Sequence, residues 1–198
     1  MVTGGAGFIG SNLVHFLLES GEAMVERVIV YDSLTYAGTL LNLQGLSQDH
    51  FTFIKADDCD EEKMFDVLSS YDVDTIIHCA AESHVDRAID DPSVFVRTNI
   101  NGTFSTLQAA RRAWTHKLSQ CRFHMVSTDE VFGSCAQQGP VSENSSSCNP
   151  SNPYSATKAS ADHLAMAWHK TYNLPVTITH STNNYGPRQF PEKLVPLI

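Results

Sequence analysis

A chain of 198 residues, 42% of them apolar, can bury one hydrophobic core and fits one domain, or one domain plus the start of another. A formal net charge of -9, with only 13 lysine and arginine residues, argues against a nucleic-acid partner, because phosphate binding needs clustered cations. The five cysteines contain no C-x-x-C pair, and neither a bilayer-spanning stretch nor a secretion signal is present, so we expect reduced thiols, no metal site and a soluble cytoplasmic protein without membrane contacts.

Short apolar runs rich in β-branched residues alternate with longer helical patterns along the chain. The runs predict strands at 28–31, 51–54, 75–78, 123–126 and 176–179, after a first strand that ends at residues 1–3. The longer patterns predict helices near 8–20, 60–70, 93–116 and 154–173. Nearly continuous apolar strands suit a parallel sheet covered on both faces. We therefore expect an α/β fold with right-handed crossovers and a doubly wound parallel sheet.

Three segments depart from this regular alternation. The first strand is represented by residues 1–3 alone, whereas a parallel strand usually has about five residues. The chain ends at residues 197–198 within an apolar, helix-like segment. We therefore expect both ends of the domain to be cut. The stretch 142–153, rich in serine, asparagine and proline, predicts an ordered surface loop.

A glycine-rich loop follows the first strand and opens the first helix. Gly4, Gly7 and Gly10 have G-x-x-G-x-x-G spacing, a variant of the dinucleotide-binding fingerprint. Glycine there permits a tight turn, close approach of the backbone to a pyrophosphate, and close packing of the helix on the sheet. The helix start at Phe8 and Ile9 then offers backbone N–H donors. Taken alone, the spacing also fits a glycine-rich turn that binds no ligand.

The acidic residue after the second strand decides between these interpretations. Asp32 lies about 20 residues beyond the glycines, where a carboxylate accepts hydrogen bonds from the adenosine ribose. An acid at this position also repels a 2′-phosphate, so the sequence favours NAD over NADP. Asp57 and Asp58 follow the third strand, and either contact with the adenine or a solvated turn accounts for them equally well.

A tyrosine and a lysine share one face of the helix predicted after the fifth strand. Tyr154 and Lys158 form a Y-x-x-x-K pair, which places the ammonium near the phenol. A free tyrosine, with a pKa of about 10, is a poor base at neutral pH, and a nearby cation favours its phenolate. Such a base can take the proton of a sugar hydroxyl as the same carbon gives up hydride. The pattern is weak alone but strong in this position.

Polar residues directly follow the strand at 123–126. Thr128, Asp129 and Glu130 lie where ligands bind in open parallel sheets, at the carboxyl ends of the strands. Two adjacent carboxylates can divide proton transfers between them if their environments separate their pKa values. The alternative interpretation is a charged turn between a strand and a loop.

The motifs in order along the chain resemble those of the dTDP-glucose 4,6-dehydratase family, within the extended short-chain dehydrogenase/reductase superfamily. The similar segments are VTGGAGFIGSN (2–12), YDSLTYAG (31–38), AAESHVDRAI (80–89), STDEVFG (127–133), PYSATKA (153–159) and NNYGPRQFPEKLVPLI (183–198). The resemblance implies a Rossmann-type, NAD-binding domain over residues 1–198, in which 183–198 begins the substrate-binding part. The C-terminal substrate lobe of the family is then missing or only begun.

The resemblance also implies a mechanism. Tyr154, assisted by Lys158 and Thr128, takes the proton from the glucose 4-hydroxyl while C4 gives hydride to bound NAD+. Glu130 then removes the C5 proton while Asp129 protonates the departing 6-hydroxyl, and water leaves. Hydride returns from NADH to C6, and a proton returns to C5. The product is dTDP-4-keto-6-deoxyglucose, and no NAD is consumed overall.

Further expectations come from the same resemblance. Cofactor contacts are implied for Gly4, Gly7, Phe8, Ile9, Gly10, Asp32, Thr35, Asp57, Asp58, Ala80, Tyr154 and Lys158. Substrate contacts are implied for Ser83, Thr128, Glu130, Asn183, Lys193 and Leu194. The helices near 93–116 and 154–173 would form a homodimer through a four-helix bundle.

Two other residues and two alternative functions complete the sequence-based predictions. Phe132 stands where the family usually has tyrosine, which should change packing or one hydrogen bond but not the mechanism. His84 has no second ligand at useful spacing, so we interpret it as structural or pocket-lining. A nucleotide-sugar 4-epimerase shares Tyr154 and Lys158 but needs no acid/base pair for water elimination, and a non-catalytic NAD-binding module is the other alternative. The preference between dTDP, UDP and other nucleotides stays open.

Overall fold

The computed structural model of the protein describes residues 1–20, 25–47, 49–133, 142 and 147–198. Six parallel strands form one sheet in the order β3-β2-β1-β4-β5-β6. The strands are β1 (Val2–Thr3), β2 (Val28–Asp32), β3 (Phe51–Lys55), β4 (Thr75–His78), β5 (Arg122–Thr128) and β6 (Val176–Ser181). The order reverses at β1, so the chain winds outward in both directions from the centre of the sheet. The predicted doubly wound fold is confirmed.

Helices connect the strands and cover both faces of the sheet. They are α1 (Phe8–Glu19), α2 (Glu61–Ser70), α3 (Val85–Asp90), α4 (Pro92–Phe95), α5 (Thr103–Ala113), α6 (Pro153–Tyr172) and α7 (Leu194–Leu197). Three single turns of 3₁₀ helix lie at Leu40–Leu43, Leu118–Gln120 and Asp129–Phe132. Among the described residues, none of these helices is both long and apolar enough to cross a membrane.

The predicted helix near 93–116 is interrupted. A π-helical segment, Val96–Gly102, separates α4 from α5 and joins them into one continuous rod. At the start of α5, the hydroxyl of Thr103 donates to the carbonyl oxygen of Asn99 in this segment at 2.7 Å. π-helical turns inside α-helices occur often at functional sites, and this one places Asn99 against the cleft wall described below. The π-helical segment could not be predicted from the sequence, because one extra residue in a turn hardly changes the spacing of the apolar residues.

Two clusters of apolar side chains fill the space on either side of the sheet. The larger packs α2, α5 and α6 against the sheet around Trp114, Phe123 and Met125. The smaller packs α1 on the opposite face around Val14 and Val30. The short β1 lies at the centre and pairs with β2 and β4, so two residues suffice to join the halves of the sheet.

The predicted surface loop at 142–153 is described at residue 142 and from 147 onward, and residues 143–146 lie outside the described part. The backbone N–H of Asn149 donates to the carbonyl oxygen of Val131 at 2.9 Å. Asn152 then begins α6 with a capping box, in which its side chain accepts from the Ser155 backbone and the Ser155 hydroxyl accepts from the Asn152 backbone. The described part of the loop is therefore ordered, and it fixes where α6 starts.

Candidate active site

A cleft of about 770 Å³ opens at the carboxyl ends of the strands, where ligands bind in sheets of this topology. It brings together the glycine loop, the ends of β2 to β5, the first turns of α6 and the segment after β6. The predicted residues that line it are Gly4, Gly7, Phe8, Ile9, Gly10, Asp32, Thr35, Asp57, Asp58, Ala80, Ser83, Thr128, Glu130, Tyr154, Lys158, Asn183 and Lys193. Asp129 is described but does not line the cleft. The side chain of Leu194 lies outside the described part of the structure.

The glycine loop is packed so tightly that side chains are excluded at two positions. Gly4 has a φ of +62°, and a Cβ there would lie 2.8 Å from the Cα of Ala80. A Cβ on Gly10 would lie 2.2 Å from the carbonyl oxygen of Gly4. No described side chain caps the N-terminus of α1, whose first residues line the cleft. Backbone N–H groups there are free to bind an anion, so the loop fits the pyrophosphate of a dinucleotide.

Asp32 is buried at the end of β2, with both carboxylate oxygens facing backbone donors. Its Oδ2 accepts from the N–H of Ala6 at 2.9 Å, and its Oδ1 accepts from the N–H of Leu34 at 2.7 Å. A carboxylate has about four acceptor sites, so two remain for ribose hydroxyls. The same bonds tie the glycine loop to the end of β2, a structural role that the sequence did not reveal.

The two acids after β3 have different environments. Burial opposes ionisation of Asp57, but the Cys59 backbone N–H and the Arg97 guanidinium, 2.7 Å from Oδ2, hold its pKa below the ordinary value. Burial and the nearby charges of Asp32 and Asp57 raise the pKa of Asp58 well above its ordinary value. The Oδ1 of Asp58 is buried without a hydrogen-bond partner among the described residues. A solvated turn therefore describes Asp57 at most, and Asp58 lines the cleft with a buried carboxyl that holds its proton more readily than an exposed aspartate does.

Tyr154 and Lys158 lie on one face of α6, as their spacing predicts, but they do not interact as expected. The ammonium of Lys158 donates to the carbonyl oxygen of Val126 on β5 at 2.8 Å. Burial, and then the negative charge of Glu130, raise the pKa of Tyr154 to about 12, although a hydrogen bond with Thr128 opposes the rise. The expectation of a favoured phenolate is not met in this structure, because burial and the Glu130 carboxylate raise the pKa of the phenol.

The structure separates the two acids of the Asp129-Glu130 pair. Glu130 lines the cleft, and its Oε2 accepts from the side-chain amide of Asn152 at 3.3 Å. Asp129 lies outside the cleft lining and accepts from the hydroxyl of Thr128 at 3.4 Å. A 3₁₀ turn at Asp129–Phe132 produces this difference, because consecutive residues of a helical turn point in different directions. Of the two acids, Glu130 lines the cleft and Asp129 does not.

Sequence reasoning missed a buried chain of hydrogen bonds that braces the cleft from behind. His78 contacts the hydroxyls of Thr3 at 2.8 Å and Thr103 at 3.1 Å. Burial, with a smaller effect of the Lys158 charge, lowers the pKa of His78 to about 3, so the ring is neutral. Asn99 continues the chain, since its amide nitrogen donates to the carbonyl oxygen of Glu82 and to the hydroxyl of Thr157, next to Lys158. In the sequence, this network could have been suspected from His78, a histidine at the end of an apolar strand.

The segment after β6 closes one side of the cleft. Lys193 Nζ donates to the carbonyl oxygen of Ser83 at 3.1 Å, so two predicted substrate residues meet here. The phenol of Tyr36 donates to Glu192 Oε1 at 3.3 Å, and its ring packs edge-on against Phe190. At the other side, the side-chain amide of Asn12 on α1 donates to the carbonyl oxygen of Pro187 at 2.9 Å.

Two single residues resolve as structural. His84 begins α3, and its Nδ1 accepts from the backbone N–H of Arg87, in agreement with the structural interpretation. Phe132 is buried, and its ring packs on the imidazole of His180 with 4.9 Å between centroids. Although Phe132 lacks the hydroxyl of the tyrosine usual in the family, its ring still makes an aromatic contact with His180 below the site.

The fold and the cleft define a class: a dinucleotide-binding domain of the extended short-chain dehydrogenase/reductase type, with its Y-x-x-x-K helix and a further carboxylate. The sequence model of the family described as GDP-mannose 4,6 dehydratase matches residues 1–198. The chain belongs to this family.

Named relatives are more specific. The chain is 46% identical over 203 residues to a dTDP-glucose 4,6-dehydratase of Neisseria gonorrhoeae, covering 100% of this chain and 58% of the relative. The crystal structure of DesIV, a dTDP-glucose 4,6-dehydratase of Streptomyces venezuelae with NAD bound, matches with a TM-score of 0.88 and 46% identity over 99% of this chain and 59% of that one. A UDP-glucose 4-epimerase of Thermus thermophilus with NAD has a TM-score of 0.82 but 29% identity, over 96% of this chain and 57% of that one. The family resemblance inferred from the motifs is confirmed, and the chain spans less than two thirds of these relatives.

Proposed function

We propose that the chain is the NAD-binding part of a dTDP-glucose 4,6-dehydratase. The observation that carries the proposal is Glu130, a carboxylate in the cleft beside Thr128 and Tyr154. A 4-epimerase needs one base for oxidation and reduction at C4, whereas a dehydratase needs a second group to remove the C5 proton. Higher identity to dehydratases than to the epimerase, 46% against 29%, supports the same choice.

NAD fits the residues present. Gly4 and Gly10 let the glycine loop and α1 pack closely, and the uncapped start of α1 suits a pyrophosphate. Asp32 suits an adenosine ribose without a 2′-phosphate. When bound, NAD supplies the acceptor and later the donor of hydride. Phe8, Ile9, Thr35 and Ala80 line the same part of the cleft and would contact the cofactor.

Tyr154 would be the base that takes the proton of the sugar 4-hydroxyl. In this structure the phenol keeps its own proton, because burial and then the Glu130 charge raise its pKa to about 12. Base action therefore requires the field at the phenol to change when ligands enter the cleft. Thr128, which already bonds to Tyr154, would hold the reacting hydroxyl in line with the phenol.

Glu130 would remove the C5 proton once C4 is a ketone. Its bond with Asn152, the first residue of the capping box of α6, holds the carboxylate at the cleft wall. Asp129, which accepts a hydrogen bond from Thr128 beside the cleft, would protonate the departing 6-hydroxyl once its side chain turns toward the substrate. Ser83, Asn183, Lys193 and Leu194 would bind the nucleotide sugar, with Lys193 opposite its diphosphate.

Product analysis of wild type and Glu130→Gln tests the proposal. Wild type with NAD+ and dTDP-glucose should yield a 4-keto product that lacks one water, and Glu130→Gln should stop water loss while NAD binding persists. A 4-epimer as the product, formed equally well by Glu130→Gln, would reject the dehydratase and favour the epimerase.

We also propose a cytoplasmic homodimer built on α5 and α6. Phe104 and Met166 are 40% and 43% exposed on these helices, and Tyr172 adds a further apolar ring. Paired across a two-fold axis, such faces form a four-helix bundle. Sedimentation should show a dimer that Phe104→Glu converts to monomer; a wild type that stays monomeric at high concentration would contradict this. The four described cysteines are free, as suits the reducing cytoplasm.

A further inference from the structure

A buried carboxylate lies behind the candidate catalytic residues and takes no part in the proton transfers proposed above. Asp162 follows Lys158 by four positions and Tyr154 by eight, so the three side chains share one face of α6. Asp162 is only 3% exposed. Its Oδ1 is buried and has no hydrogen-bond partner among the described residues. An incompletely bonded buried carboxylate costs free energy of folding, which suggests a role beyond packing.

Two side chains from neighbouring strands fix the other carboxylate oxygen. The hydroxyl of Ser127 on β5 donates to Oδ2 of Asp162 at 2.9 Å. Nε2 of His180 on β6 lies 3.0 Å from the same oxygen. Phe132 packs on the His180 ring and holds it in place. Asp162 therefore joins α6 to both strands directly beneath the cleft.

Lys158 is the cation that needs a counter-charge here. It is 4% exposed, and among the described residues its ammonium donates a hydrogen bond only to the neutral carbonyl oxygen of Val126. Burial lowers the pKa of Lys158, and the charge of Asp162 is the largest influence that opposes this. A neutral amine could not stabilise the phenolate of Tyr154.

Other ionisable groups surround the pair from each neighbouring element. His78 and Cys79 approach Lys158 from the end of β4, and Glu130 approaches Tyr154 from the turn after β5. Cys148 approaches Asp162 from the loop before α6. His78 is neutral, and burial raises the pKa of both thiols, so they hold their protons near neutral pH. Asp162 is thus the carboxylate placed to balance the Lys158 charge.

We propose that Asp162 is a positioning residue whose negative charge, held by Ser127 and His180, keeps the buried Lys158 side chain protonated. Its effect on Tyr154 rests on the proposed function, whereas the ionisation of Lys158 does not.

NMR titration of the full chain labelled with ¹³C at lysine Cε measures the Lys158 protonation directly, without cofactor or turnover. The Lys158 signal is assigned as the one that Lys158→Gln removes. Asp162→Asn should lower the titration midpoint of Lys158 by about one pH unit or more, because a nearby opposite charge is removed. Asp66→Asn, which changes an exposed aspartate on α2, is the matched control and should leave the midpoint in place.

His180→Arg gives a second arm in case Asp162→Asn does not fold. A permanent positive charge beside Asp162 should lower the Lys158 midpoint in the same direction by a smaller amount, while His180→Gln should leave it high. An unchanged midpoint in every folded variant overturns the inference, even if the wild type dehydrates dTDP-glucose. A shifted midpoint supports the inference, even if the wild type is inactive on that substrate and the proposed function fails.

Discussion

The half of the sheet that would bind the cofactor and the half that would perform the chemistry are built by different means. From β1 to β3 the cleft is shaped by backbone: close contacts at Gly4 and Gly10, an uncapped helix start, and Asp32 bonded to main-chain N–H groups. From β4 to α6 it is shaped by side chains that act on one another through space, as Glu130 does on Tyr154. Substitutions in the first half should therefore remove binding outright, whereas substitutions in the second should shift protons and rates.

The largest effect is expected at Gly10. In Gly10→Ala the new methyl would lie 2.2 Å from the carbonyl oxygen of Gly4, so the loop and α1 must separate. We expect a loss of about 3 kcal/mol in the free energy of unfolding and NAD affinity reduced at least about 100-fold. Chemical denaturation and calorimetric NAD titration measure both.

Gly45→Ala is the matched control for that substitution. Its φ is +93°, but nothing lies within 4 Å of the added Cβ. It should cost about 1 kcal/mol of backbone strain and leave NAD affinity unchanged. Equal NAD affinity in Gly10→Ala and Gly45→Ala would contradict a backbone-built cofactor site.

In the second half, the largest effect is expected at Tyr154. Tyr154→Phe keeps the ring that packs against Phe95 but removes the proposed base. The rate of dTDP-glucose oxidation should fall about 1000-fold with NAD affinity nearly unchanged. Single-turnover absorbance of the reduced cofactor measures the rate, and Tyr172→Phe on the exposed end of α6 is the control. If NAD affinity falls as much as the rate does, the proposed division between a cofactor-binding half and a catalytic half of the sheet is wrong.

Glu130→Gln should shift the ionisation of Tyr154. The carboxylate raises the pKa of the phenol, which is about 12, so its removal should lower that pKa by about one unit. The phenolate should then appear at lower pH in an ultraviolet titration. The Tyr154 signal is obtained by subtracting the titration of Tyr154→Phe from that of wild type, and the titration of the double variant from that of Glu130→Gln. Circular dichroism sets the pH limit within which the fold persists. An unmoved titration would show that burial alone sets this pKa.

The smallest effect is expected where the segment after β6 crosses the cleft. Tyr36→Phe removes the hydrogen bond to Glu192 but keeps the ring contact with Phe190. Loss of one neutral-to-charged bond at the surface should speed NAD release about fivefold. Stopped-flow displacement measures this, with Tyr71→Phe as the control. An unchanged release rate would mean that this segment does not retain the cofactor.

The same contrast explains what could be predicted from sequence. The strands, the glycine loop and Asp32 follow from local pattern, because each depends on backbone geometry or on a buried apolar run. All six predicted strands are found, and only the details of their ends differ: β5 and β6 each run two residues further at the cleft, through Thr128 and Ser181.

The side-chain networks were not predictable in this way. The position of Asp129 depends on the 3₁₀ turn, and the raised pKa of Tyr154 depends on burial and on Glu130. The links from Asn99 to Thr157 and from Asp162 to His180 join residues far apart in the chain. Spacing along a sequence reveals neighbours on one helix but not the partners that other elements bring to them.

Mass spectrometry of dTDP-glucose incubated with the protein and NAD+ in deuterated water tests the central claim most directly. The account predicts a product that has lost one water and gained one deuterium at C5, since the C5 proton is removed to solvent and a deuteron from solvent replaces it. A folded, NAD-bound protein, taken in the longest reading frame of its gene, that returns dTDP-glucose unchanged or deuterium-free would contradict it.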